Sequence, residues 1–195
     1  MRCRAKPMRQ SAILRRRVGD ARDAIDLYLD AKAEHRFHRR QGSPARRRGA
    51  PGKRGAHAQG LGRSRGGLST KIHAAADSLG EAVRLIGGPG QEHDIRRAED
   101  LIEGLTPQYV LADRAYDADR LHDAILEAGA TPVIPPKRNR RVQHDYDKDI
   151  YKERNRIERF FNKLKQFRRV ATRYDKLLVN FMGFVTIAAI AIQLR

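Results

Sequence analysis

Cysteine is all but missing from this chain. The lone Cys3 among 195 residues excludes an internal disulfide framework and has no metal-ligand spacing around it, which suits a reducing cytoplasm. A bilayer-length apolar run is missing as well. The longest, from Leu177 to Ile192, is broken only by Asn180 and Thr186, but it falls short of the roughly 20 residues a membrane helix needs. It is expected to be a buried helix, with no membrane as partner. The N-terminus is basic without the apolar stretch of a signal peptide, so secretion is not expected. No internal repeat is present. Acidic residues are outnumbered: 23 Asp and Glu against 41 Lys and Arg leave a formal charge of +18 and a pI near 10.8. A polyanion is the natural partner of such a chain, and nucleic acid fits better than a membrane surface.

The charge is unevenly spread. Residues 1–60 hold 17 Lys or Arg and 5 Asp or Glu, so two thirds of the excess lies in the first third of the chain. Within it, "RFHRRQGSPARRRGAPGKRGAHAQG" has no Ile, Leu, Val or Met and cannot offset its ordering entropy by burial. The expectation is a disordered basic arm or non-native segment over 1–60 and a folded domain over 61–195. The arm is either an electrostatic tether to DNA or a tail with no selected role.

From Leu61 onward the pattern is that of a folded domain. "LSTKIHAAAD", "SLGE" and "AVRLIGG" predict a hairpin. "EHDIRRAEDLIEGL" spaces Ile95, Ala98, Leu101 and Ile102 as a helix does, and Asp94 is expected to cap it. "QYVLAD" predicts a strand ending on Asp113, "DADRLHDAILEAGA" an amphipathic helix closed by Gly129, with Asp117 available to cap it or to touch metal. "TPVIPP" predicts a short strand. A basic loop, "KRNRRVQ", leads to a long helix beginning near Ile150 and then to the apolar C-terminal helix. Antiparallel strands followed by strand–helix alternation point to an α/β fold, a mixed sheet with helices on its faces.

The long helix carries the chemistry. At about 100° per residue, Tyr151, Glu158 and Lys165 fall nearly in line, with Arg154 on the same polar stripe. Ile157, Phe160, Phe161, Leu164 and Phe167 make a separate apolar face that can dock on the sheet. An amphipathic helix with a solvated charged face would share this pattern. Two features argue for more: the unbroken Tyr-x2-Arg-x3-Glu-x6-Lys spacing, and a carboxylate, Asp113, at the end of a strand that the helix can cross. Paired carboxylates so placed suit two divalent cations that activate a water or 3′-hydroxyl against a phosphodiester. His73, alone on its strand, reads either as a phosphate contact or as a packed or solvated residue.

"VLADRAYD", "YKERNRIERFFNKLKQFRRVATRYDK", "GRSRGGLSTKIHA" and "GPGQEHD" resemble the DDE transposases of bacterial insertion sequences, over about residues 60 to 195. The resemblance implies a ribonuclease H-like fold and a triad of two aspartates and a glutamate, with Asp113 as the second aspartate and Glu158 as the glutamate. It implies two Mg2+ or Mn2+ ions held by Asp113 and Glu158, hydrolysis at transposon ends and transfer of the freed 3′-hydroxyl to target DNA. Lys165 and Arg154 would then hold DNA phosphate, and Tyr151 would position the strand or the glutamate. A cytoplasmic, nucleoid-associated protein, acting as a homo-oligomer on paired ends, is the corresponding expectation.

The pattern breaks at one point. The family's first aspartate belongs near Arg39, where the sequence has none. The nearest candidate is Asp30 in "DLYLDAKAEHRF", with His35 as a partial echo of the family histidine, but that phrase reads as well as a helix as it does a strand. Residues before about 56 could alternatively derive from a shifted reading frame joined to a genuine C-terminal portion. A sheet missing its first strand would expose an edge, and a site with two carboxylates would be inactive, leaving a DNA-binding remnant. A ribosomal-type RNA-binding protein would account for the charge but not for Asp113 and Glu158.

Overall fold

The computed structural model describes residues 27–31, 35–36, 59–64 and 67–195. Among them, seven strands form one mixed sheet: β1 (Leu27–Ala31), β2 (His35–Arg36), β3 (Gly62–Ser64), β4 (Gly67–Ala76), β5 (Ala82–Pro89), β6 (Tyr109–Ala112) and β7 (Thr131–Val133). The main order is β5-β4-β1-β6-β7. β4 runs antiparallel to both β1 and β5, whereas β1, β6 and β7 are parallel. β2 continues along the β1 edge of β4, and β3 extends the β5 edge. This is the ribonuclease H-like arrangement that the resemblance implies.

The sheet starts earlier than composition suggests. β1 is its central strand, paired on one side with β4 and on the other with β6, so residues ahead of position 61 supply the middle of the fold and the expected open edge is absent there. "LYLDA" is a strand and not a helix, because each of its edges meets a partner. Apart from β1, β2, Gln59 and Gly60, the expected disordered basic arm lies outside the described residues, as does Cys3.

The hairpin falls where "SLGE" predicts. Asp77 Oδ1 accepts from the backbone N–H groups of Leu79 and Glu81, both at 2.9 Å, and Gly80 closes the turn at φ +81°, a left-handed conformation that disfavours any side chain. The register shifts at Ala75/Ala76, beside this turn.

Alternation along the strands splits the core in two. Tyr28, Ile72, Ala74, Leu111 and Val133 face one layer, where Ile157, Phe160, Phe161, Phe181 and Val185 cover them. Leu27, Leu29, Ala75, Val110 and Ala112 face the other, under Ala98, Leu101, Leu121 and Ile125. The covering helices are α1 (Ile95–Ile102) and α2 (Asp119–Glu127) on the second face. On the first lie α4 (Asn155–Leu164) and α6 (Leu178–Gln193), with short α3 (Lys148–Tyr151) and α5 (Arg168–Ala171) flanking α4. α6 packs on β5 and α4. Its outer positions Val179, Ile187 and Ile190 are exposed, so the C-terminal run is buried on one side only. Among the described residues no helix is long and apolar enough to cross a membrane.

Two local readings need correction. The long helix is broken: a 3-10 turn at Lys152–Arg154 separates α3 from α4, and Lys165 is the residue that ends α4. Since 3-10 residues advance about 20° further than α residues, three of them rotate Tyr151 by about 60° relative to Glu158. Asp94 begins α1 without a side-chain capping bond. Its backbone is already helical there, and its carboxylate instead takes a 2.9 Å bond from Lys71 Nζ.

Candidate active site

The site lies where the parallel strands end. Leu29 of β1 stands opposite Ala112 of β6, so the next residue on each strand is an aspartate, Asp30 beside Asp113. Neighbouring strands run about 4.8 Å apart, which puts the two backbones at adjacent levels of the same rim. Asp113 is half-buried and its φ of −81° and ψ of 177° keep it extended. One carboxylate oxygen accepts from the Ala115 N–H at 2.8 Å. That bond starts the 3-10 turn Arg114–Tyr116 and fixes the side chain at the end of the strand.

Glu158 arrives from α4, which packs against β1. The apolar face of α4 is the expected one: Ile157, Phe160, Phe161 and Leu164 are buried and Phe167 partly so. Docking by that face holds Glu158 half-buried. Arg154 Nη2 donates to Glu158 Oε1 at 2.5 Å, one helical turn away. The same guanidinium lies 5.7 Å from the centre of the Tyr151 ring, and Tyr146 meets Tyr151 edge-on at 5.5 Å. Tyr151, Arg154 and Glu158 therefore form a contiguous stack in which the arginine restrains the glutamate. Lys165 is exposed at the C-terminal end of α4.

A further carboxylate borders this rim. Burial raises the Asp94 carboxyl above its ordinary range, Lys71 pulls it back, and the charge of Asp113 adds to the rise. Lys71 also donates to the Glu92 carbonyl at 2.9 Å. His73, two residues along β4 and opposite Ala31, is fully buried. Burial, with help from Lys71 and Arg97, lowers its pKa to about 4, so it is a neutral packed residue. Asp117 does not cap α2, whose first turn has no side-chain cap. It is buried and accepts from Lys137 N and Arg140 Nη1, both at 2.7 Å.

The Arg154–Glu158 pair and the Lys71–Asp94 pair were not foreseen in the sequence. The four-residue spacing of Arg154 and Glu158 is the signal that could have found the first. The second joins a strand to a helix start 23 positions away, and no local pattern announces it.

Sheet order, strand-end carboxylates and a glutamate-bearing helix against the central strand define a ribonuclease H-like protein built for nucleic-acid chemistry. The family profile described as "Transposase DDE domain" matches residues 34–194, and the chain belongs to that family of DNA transposases. It is also 43% identical, over 132 residues, to a Brucella ovis protein described as "Putative transposase for insertion sequence element IS6501"; the match covers 66% of this chain and all of that one. DNA is accordingly a partner, and divalent metal is the cofactor class of the family. Carboxylate oxygens such as those of Asp113 and Glu158 are the donor type that suits hard cations.

Proposed function

We propose that the chain cleaves DNA at the ends of an insertion sequence and joins the freed end to target DNA, with Asp30, Asp113 and Glu158 as its acidic triad. The observation that carries this reading is the register of β1 on β6, which sets Asp30 level with Asp113. Strand alternation gives position 30 the parity of Tyr28, whose face is the one covered by α4. Two Mg2+ or Mn2+ ions, held by Asp113 and Glu158 with Asp30, would supply Lewis-acid activation of the attacking hydroxyl and neutralise charge at phosphorus.

The chain's own residues do the rest. Arg154 restrains Glu158 in one orientation, and Tyr151 backs the guanidinium. Exposed Lys165, with Arg159 and Lys163 on the outer side of α4, is suited to hold DNA phosphates. In the first step a water oxygen bonds to phosphorus in line with the departing 3′-oxygen, which leaves as a hydroxyl after taking up a proton. In the second that hydroxyl oxygen loses its proton and bonds to the phosphorus of a target phosphodiester in the same geometry, and the target's own 3′-oxygen leaves and takes up a proton. The setting is the cytoplasm, at the nucleoid, on transposon ends that a homo-oligomer would pair.

A strand-cleavage assay with Mg2+ or Mn2+ on DNA bearing the element's ends tests this. Asp30→Asn and Asp113→Asn are each expected to lower cutting roughly a thousandfold or more while the same DNA is still bound. Full cutting by Asp30→Asn would remove Asp30 from the triad. Binding without cutting by the unaltered chain would favour the remnant.

A further inference from the structure

Away from the strand-end carboxylates, Asp117, His122 and His144 bring one donor atom each to within 4.8 Å of one another. Asp117 comes from the turn after β6, His122 from the first turns of α2, and His144 from the basic loop ahead of α3. Asp117 and His122 are buried. Among the described residues His122 Nε2 has no hydrogen-bond partner, and Asp117 Oδ1 lies 3.4 Å from it. The two imidazole rings stack at 4.4 Å. Asp119 Oδ1 lies 3.5 Å from His144 Nε2 and offers a fourth donor.

We propose that Asp117, His122 and His144, with Asp119 completing the set, form a binding site for a zinc-class transition metal, separate from the carboxylate rim. Metal–ligand bonds of 2.0–2.1 Å in a tetrahedron put neighbouring donors roughly 3.3 Å apart, and the His122–Asp117 and His144–Asp119 separations are close to that edge. Two imidazoles and carboxylates select zinc, cobalt or nickel over magnesium. Asp117 already has the outer support such ligands use: its other oxygen accepts from Lys137 N at 2.7 Å. Burial, reinforced by His144, lowers the His122 pKa against the opposing pull of Asp117.

Arg140 competes for the same donors. Its guanidinium bonds Asp117 Oδ1 at 2.7 Å, approaches His144 Nε2 at 2.6 Å and also pairs with Asp119. A cation already bridges this donor set, and a metal ion would have to displace it. Binding would then fasten the loop that precedes α3 to the start of α2.

The test uses the untagged full chain with Co2+ as probe, in excess Mg2+ to saturate the oxygen-only rim. The expected result is a visible ligand-field band of low-coordinate cobalt, displaced by Zn2+, with a rise in melting temperature on Zn2+ addition. His144→Ala, at a partly exposed loop position, should weaken affinity by about tenfold or more and remove the band, whereas Arg140→Gln should keep or strengthen it. Asp113→Asn should leave the band unchanged, so failure here is distinct from failure of the strand-end triad. An unaltered band in His144→Ala, or no band in the parent chain and in Arg140→Gln alike, overturns the proposal.

Discussion

Two buried basic side chains show how single residues set the limits of this protein. Arg173 is fully buried and spends its donors on backbone carbonyls of Gln59 at 2.6 Å, Asp175 at 2.8 Å and Lys176 at 3.0 Å, and on Thr70 Oγ1. Phe181 lies against its guanidinium at 5.2 Å. It thereby ties the approach to β3 to the segment before α6, and a buried charge so fully paired is tolerable where an unpaired one is not. His73 is the opposite case. Neither ring nitrogen has a hydrogen-bond partner among the described residues, and Glu92 Oε2, at 3.7 Å, does not offset the burial that holds its pKa near 4. Between pH 6.5 and about 4 the unfolded chain binds a proton there that the folded chain does not, so stability falls as pH drops through that window. The loss should reach about 2 kcal/mol by pH 5. Urea unfolding at pH 7 and pH 5 measures it, and a His73→Leu variant should lose most of this pH dependence.

At the scale of elements, local sequence is informative where turn chemistry and periodicity are strong. β4, its Asp77–Gly80 turn and β5 follow from alternation and turn chemistry, and α1, β6, α2 and β7 fall where their periodicity and breakers put them. β1 escaped that reading because five residues of "LYLDA" carry no period long enough to tell strand from helix. Its state is settled by β4 and β6, partners about 40 and 80 positions away in sequence, through pairing that no window contains. The split of the long helix escaped for a related reason. Its apolar stripe runs on through Ile150 and Ile157 in helical phase, and the tighter turn between them leaves no mark in residue type. The placement of Asp30 was hidden by the same gap: spacing to "GRSRGG" argues against it, while register on β6 argues for it. Leu29→Ala tests the strand directly. Leu29 is wholly buried, so the substitution should cost about 3 kcal/mol in urea unfolding. A change near zero would mean that β1 does not belong to the sheet.

For the whole molecule, charge and fold divide the work. The sheet with its two apolar layers carries the acidic residues proposed as the site, and the net charge of +18 provides attraction to DNA that is independent of sequence. Such attraction weakens steeply with salt, because each neutralised phosphate releases counterions. Lys165→Ala should therefore weaken binding to every duplex alike and reduce the slope of log K against log salt by about 1. Fluorescence anisotropy over a salt series reads this, and a loss confined to one DNA sequence would assign Lys165 to base readout instead.

Among the described strands, the middle one of the sheet is also the first to leave the ribosome. While translation continues, Leu27–Ala31 has no neighbour to pair with until Gly67–Ala76 emerges, and its second neighbour follows only with Tyr109–Ala112. The helix that brings Glu158 comes later still. A nascent or prematurely terminated polypeptide that stops short of α4 thus lacks Glu158, and if the proposed triad is the active set it cannot assemble it.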